Sequence, residues 1–151
     1  FVSGRFESSD RARLRYDGYR EAMEAAALPV LDALQIPFVT GHDDLDLGPA
    51  LAVHRPTAII ASNDLLALAV IAALRREGLS VPGDMSVAGY DGIYLSQVMH
   101  PKLTTLEQDA GGLGVQLFGM LLTAIETPNS SIPKHVTLPG TIRPGESVKE
   151  I

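Results

Sequence analysis

Apolar and polar positions change rhythm repeatedly along this chain. The clearest case starts at the short apolar run Ala58-Ile-Ile-Ala61, which stops at polar Ser62-Asn63-Asp64. A long apolar stretch follows, with Leu65, Leu66, Leu68, Val70, Ile71 and Leu74 separated mainly by Ala, and it ends at Gly78. The first run has the length of a buried strand, the second that of a helix, and Gly78 stands where a helix favours a left-handed stop. Met85–Tyr90 reads as the next strand, closing on Gly89-Tyr90-Asp91.

The rest follows the same alternation. Phe1–Gly4 is the end of a strand, and Ser9 or Asp10 caps a helix running to about Leu28. Ile36–Thr40 is the next strand, with Pro37 placing it near an edge, and a short helix covers Leu47–Val53. After the strand Thr57–Ala61, helix Asp64–Glu77 and strand Met85–Tyr90 come a helical piece at Ile93–Met99 and the extended Leu103–Leu106. Helix Ala110–Glu126 carries Leu113, Leu117 and Leu121 four apart, and His135–Leu138 reads as a final strand. Strands and helices in turn predict an α/β fold, a three-layer parallel sheet with helices on both faces.

In such a sheet, small molecules bind outside the carboxyl ends of the strands. Asn63 and Asp91 end two successive strands, so they stand where a ligand is read. Asn63 is also a good helix cap, but its amide both donates and accepts, as recognition of hydroxyls requires. Asp64 reads more simply as a helix start, and Asp91 before Gly92 also fits a turn.

Composition narrows the function. The 151 residues carry a net charge of −6 and no clustered Lys and Arg, which argues against the chain gripping nucleic acid by itself. There is no cysteine, hence no disulfide and no thiolate metal site. No apolar run reaches the ~20 residues of a membrane span. His42, Asp43, Asp44 and Asp46 lack the spacing of a calcium loop and read as solvated loop charge; His54, His100 and His135 show no metal spacing. Gly111-Gly-Leu-Gly114 has the wrong spacing for a dinucleotide fingerprint. Without a defensible catalytic pair, the expectation is a non-enzyme needing neither metal nor cofactor.

Four motifs in order resemble the LacI/GalR family of bacterial transcription regulators: Arg15-Tyr-Asp-Gly18-Tyr19, Asn63-Asp-Leu-Leu-Ala67, Val81-Pro-Gly-Asp-Met-Ser-Val-Ala-Gly-Tyr-Asp91 and Pro101-Lys-Leu-Thr-Thr105. The resemblance implies a periplasmic-binding-protein-like fold of two lobes closing on a small effector, commonly a sugar or nucleobase, with DNA bound through an N-terminal helix-turn-helix that this chain lacks. It assigns residues 1–105 to the C-terminal lobe, 106–130 to a helix of the otherwise missing N-terminal lobe, and 131–151 to a return strand and tail. Since the chain opens on Phe1, inside a strand, it reads as a piece of a longer cytoplasmic regulator. A periplasmic sugar-binding protein of a transporter is the alternative on the same fold.

The resemblance adds Arg15 to Asn63 and Asp91 as effector-binding residues; Ser9 and Asp43 are further candidates, and Arg11 and Arg13 read as surface. A guanidinium forks onto vicinal hydroxyls or a carboxylate as a Lys cannot. The carboxylates around Asp43 replace an aromatic ring the family often uses to stack its ligand. Finally, a helix apolar all round must be covered on both sides. With the family's homodimers, that predicts a contact through Leu66, Val70, Ile71, Ile93 and Val98.

Overall fold

The computed structural model describes residues 1–37, 45–127 and 135–150. In chain order its elements are β1 (Val2–Gly4), a 3-10 turn (Phe6–Ser8), α1 (Asp10–Ala25), β2 (Leu34–Ile36), α2 (Gly48–His54) and β3 (Ala58–Ile60). Then come α3 (Asp64–Arg76), β4 (Ser86–Asp91), α4 (Leu95–Val98), β5 (Thr104–Glu107), α5 (Ala110–Glu126) and β6 (Thr141–Arg143).

β3, β4 and β5 run parallel, with Ile59 opposite Val87 and Gly89 opposite Thr105. β1 and β2 form a second parallel pair. The two sheets adjoin: Val2 bridges Ala61 in the parallel sense, and the Ser62 N–H donates to the Val2 carbonyl at 2.9 Å. The strand order is therefore β2-β1-β3-β4-β5-β6, a doubly wound order whose direction reverses between β1 and β3. That reversal opens a crevice at the carboxyl ends of β1 and β3.

The core lies on one side of this sheet, where Val2, Ile59 and Val87 pack with Leu66, Val70, Ile71 and Leu74 of α3. Burying each such side chain contributes about 1.5–3 kcal/mol, so this layer anchors the fold. Gly89 permits it: a Cβ there would stand 2.3 Å from the Asp64 carboxylate and 2.7 Å from Leu103. Opposite the core, α1 lies against the other face, with Leu14, Gly18, Ile60 and Tyr90 around one cavity.

Helix ends follow their sequence signals. Ser9 caps α1, its side chain accepting from the Ala12 N–H. α3 stops as expected at Gly78, whose φ is +76°, with Leu79 N–H bonded to the Leu74 carbonyl and Gly78 N–H to that of Arg75. α1 ends in the same motif, but alanine occupies its left-handed position: Ala27 has φ +53°.

Four expectations need correction. The second strand is Leu34–Ile36, ahead of the expected Ile36–Thr40, of which residues 38–40 lie outside the described residues. The sheet is not wholly parallel, because β6 pairs antiparallel with β5, Leu106 opposite Ile142. The closing strand is Thr141–Arg143, whereas 135–138 forms none. Leu66, Val70 and Ile71, expected at a dimer contact, are 5%, 0% and 4% exposed inside the chain's own core. An all-apolar helix does not reveal from sequence which side the sheet takes. The outward residue in its first turn is Leu65, at 65% exposure. Ile93 is half-buried, whereas Val98 lies open beside exposed Tyr94 and Leu95.

α5 spans the expected residues, yet none of them is buried; Leu113, Leu117, Phe118, Leu121 and Ile125 all face outward. The tail is stitched down instead. Ser147 is fully buried, its hydroxyl donating to the Val87 carbonyl at 2.6 Å and accepting from Thr104 N–H at 2.8 Å.

Candidate functional site

Arg15 reaches from the second turn of α1 to the sheet's reversal point. One terminal nitrogen donates to the Ser62 carbonyl at the end of β3, and the other pairs with Asp91 Oδ1 at 3.1 Å. Its guanidinium carbon lies 3.7 Å from the centroid of the Tyr90 ring. Gln108, just past β5, donates from Nε2 to the same Asp91 oxygen at 2.7 Å. Two strand ends, one helix and the exit of a third strand thus converge on the Arg15–Asp91 pair.

Backbone geometry aims that carboxylate. Alternation along β4 sends Gly89 toward α3 and Tyr90 toward α1, so continued extension would turn Asp91 toward α3 again. Asp91 instead has φ +117°, rare for a residue with a side chain, followed by Gly92 at +72°. The break turns Asp91 out of register and into reach of Arg15. A Cβ on Gly92 would stand 2.7–2.8 Å from atoms of Glu107, so the tight turn also requires glycine there.

Beside this cluster lies a cavity of about 500 Å³ whose lining includes Arg11, Arg15, Gly18, Tyr90 and Gln108. Its walls combine ring faces with guanidinium and amide donors, a mixture suited to small molecules that carry both an apolar face and hydrogen-bonding groups.

The expected residues fare differently. Arg15 and Asp91 come together in direct contact. Asn63 is the N-cap of α3, its oxygen accepting from Leu66 N–H at 2.8 Å; only its amide –NH2 remains to offer. Ser9 likewise spends its hydroxyl oxygen on a cap. Asp43 lies outside the described residues. Asp64, read as a simple helix start, is a fully buried hub: Oδ1 accepts from the Thr105 hydroxyl at 2.6 Å and Oδ2 from Ile93 N–H at 2.9 Å. Tyr90 lies inside a motif without an assigned role and Gln108 beyond the last motif; their signal is position alone, one residue before Asp91 and one past β5. Among the described residues no group of three or more His, Asp or Glu side chains is placed to hold a metal ion. No described helix is long and apolar enough to cross a membrane.

A family model described as a periplasmic binding protein-like domain matches residues 1–148. The chain belongs to that family. Among curated members, it is 36% identical over 127 residues to the HTH-type transcriptional repressor PurR of Histophilus somni, covering 82% of this chain and 38% of that protein. It is 39% identical over 123 residues to the ribose operon repressor of Escherichia coli, covering 78% and 36%. The structure of a LacI family transcriptional regulator from Enterococcus faecium with bound ribose superposes with a TM-score of 0.82 at 26% identity, over 97% of this chain and 55% of that one. The LacI-type resemblance read from the motifs therefore stands. The chain spans under two fifths of the curated relatives it matches.

Proposed function

We propose that this chain is one lobe of the effector-sensing region of a LacI-type transcription regulator in the cytoplasm, and that it acts by binding rather than by catalysis. The carrying observation is the Arg15–Asp91–Gln108 cluster with Tyr90, set at the sheet's reversal point beside a cavity. The names of its relatives, repressors rather than transport carriers, support the same reading. In this reading residues 1–105 and the 131–151 return form the lobe. α5, with none of its residues buried, packs on a complementary lobe, and ligand held between the two favours one closure angle over another. Asn63 contributes its amide –NH2, and Asp43 is a further candidate for contact with the effector. DNA is bound through a separate helix-turn-helix domain, and pairing of two copies uses Leu65, Ile93 and Val98 rather than the buried face of α3.

Two measurements test this. Calorimetry of the chain with ribose gives no affinity tighter than about millimolar, since one wall of the cleft is not a pocket; micromolar affinity refutes the half-cleft reading. A chimera carrying this chain in place of the matching segment of the ribose operon repressor responds to effector in an operator-binding assay. Arg15→Ala and Asp91→Ala abolish that response while leaving operator affinity in place; unchanged response with both variants refutes the site.

A further inference from the structure

Resting on the effector-site reading, we propose that the ligand is an anion, a sugar phosphate or a sugar acid, and that Arg11 receives its charged group. The cavity holds two guanidinium groups one turn apart on α1, Arg11 and Arg15, and they are not equivalent. Arg15 is charge-paired and fixed in place: Asp91, the Ser62 carbonyl and the Tyr90 ring engage it on three sides, and some of its five N–H donors remain for neutral groups. Arg11 is exposed and makes no ion pair or hydrogen bond among the described residues.

Among the described residues no Asp or Glu lines this cavity, although the chain as a whole carries −6. Asp10, next to Arg11 in sequence, is not part of the lining. The charge of Arg15 is already met by Asp91, whereas that of Arg11 meets no carboxylate among the described residues. The first turn of the 16-residue α1 adds its positive dipole end on the same side. A guanidinium presents a fork of donors matched to two carboxylate or phosphate oxygens. The division of labour is then plain. Arg15, held rigid by Asp91, and Gln108 meet the ligand's neutral hydroxyls, and Arg11 meets its charge.

The test is an NMR titration of the isotope-labelled chain, read at the arginine side-chain N–H signals and the α1 amides, with ribose, ribose 5-phosphate, gluconate and inorganic phosphate as probes. Both arginines come from this chain, so binding is measurable in the millimolar range without the facing wall. The expected result is saturable shifts at Arg11 for ribose 5-phosphate or gluconate, at least tenfold tighter than for ribose, with the tighter of the two naming the source of the anion. Arg11→Gln reduces that anion to the affinity of ribose without moving the unfolding midpoint, and Arg11→Lys restores part of it.

Ribose binding as tightly as its phosphate ester, or an unchanged anion affinity in Arg11→Gln, overturns the proposal. Saturable ribose shifts around Arg15 and Asp91 without anion preference overturn it while leaving the effector site standing. Inorganic phosphate matching ribose 5-phosphate would instead keep Arg11 as an anion site and count against the effector reading.

Discussion

Replacing Asp64 should destabilise the lobe far more than a capping residue would. Its side chain is fully buried and accepts two hydrogen bonds, from the Thr105 hydroxyl at 2.6 Å and from Ile93 N–H at 2.9 Å. Each bond to a charged acceptor is worth about 1.5–3 kcal/mol, and Asp64→Ala also strands the Thr105 hydroxyl, 1% exposed, without an acceptor. The expected loss is about 3–5 kcal/mol, a large part of the 5–15 kcal/mol typical of a domain. Asp64→Asn keeps the shape and one acceptor oxygen, and the Thr105 hydroxyl can turn to accept from the new amide, so it costs about 1–2 kcal/mol. Thr105→Val costs a similar amount, and the double variant is less destabilised than the two singles summed, because they share one bond. Urea unfolding followed by circular dichroism supplies all four values. An Asp64→Ala loss below about 1 kcal/mol, the scale of an ordinary cap, would refute the hub.

Ala27→Gly relieves an alanine held at φ +53° and raises stability by about 0.5–1 kcal/mol in the same urea assay; destabilisation would contradict the left-handed cap. The Asp84 carboxyl is held below its ordinary 3.8 chiefly by the Ser80 hydroxyl and then by the Ser80 N–H. Because its folded pKa is depressed, Asp84 stabilises the fold above its ordinary value and loses that contribution as pH falls through the folded one. Ser80→Ala moves the Asp84 titration upward in a carbon-detected NMR pH series; an unmoved titration denies the hydroxyl its role.

Much of this architecture was legible because local and global signals agree. Ser9 marked the start of α1, Gly78 the end of α3 and the leucine spacing the extent of α5, whereas α1 stops at Ala25, short of the expected Leu28. What escaped needed knowledge of neighbours. β6 forms at Thr141–Arg143 because β5 is there to pair with it, so the Val136 segment was the better guess only in isolation. Asn63 and Asp64 are equally good caps in one dimension. Only the glycine clearance at Gly89 and the Thr105 hydroxyl make Asp64 the buried member of the pair. The site was half legible: Arg15 and Asp91 were singled out, but their meeting depends on the backbone break at Asp91, which sequence marks only by the glycine that follows.

The excursion of the chain through α5 leaves and returns on one rung of the sheet, Glu107 opposite Thr141, and the Glu107 carboxylate pairs across it with Arg143. Gln108 is the first residue past that rung, and it holds Asp91. Any swing of α5 about this doorway must therefore pull on, or yield to, a side chain already attached to the Asp91 carboxylate. Gln108 stands two positions before the first residue of α5, so the helix and the Asp91 carboxylate are joined through a single side chain, with no relay through the core.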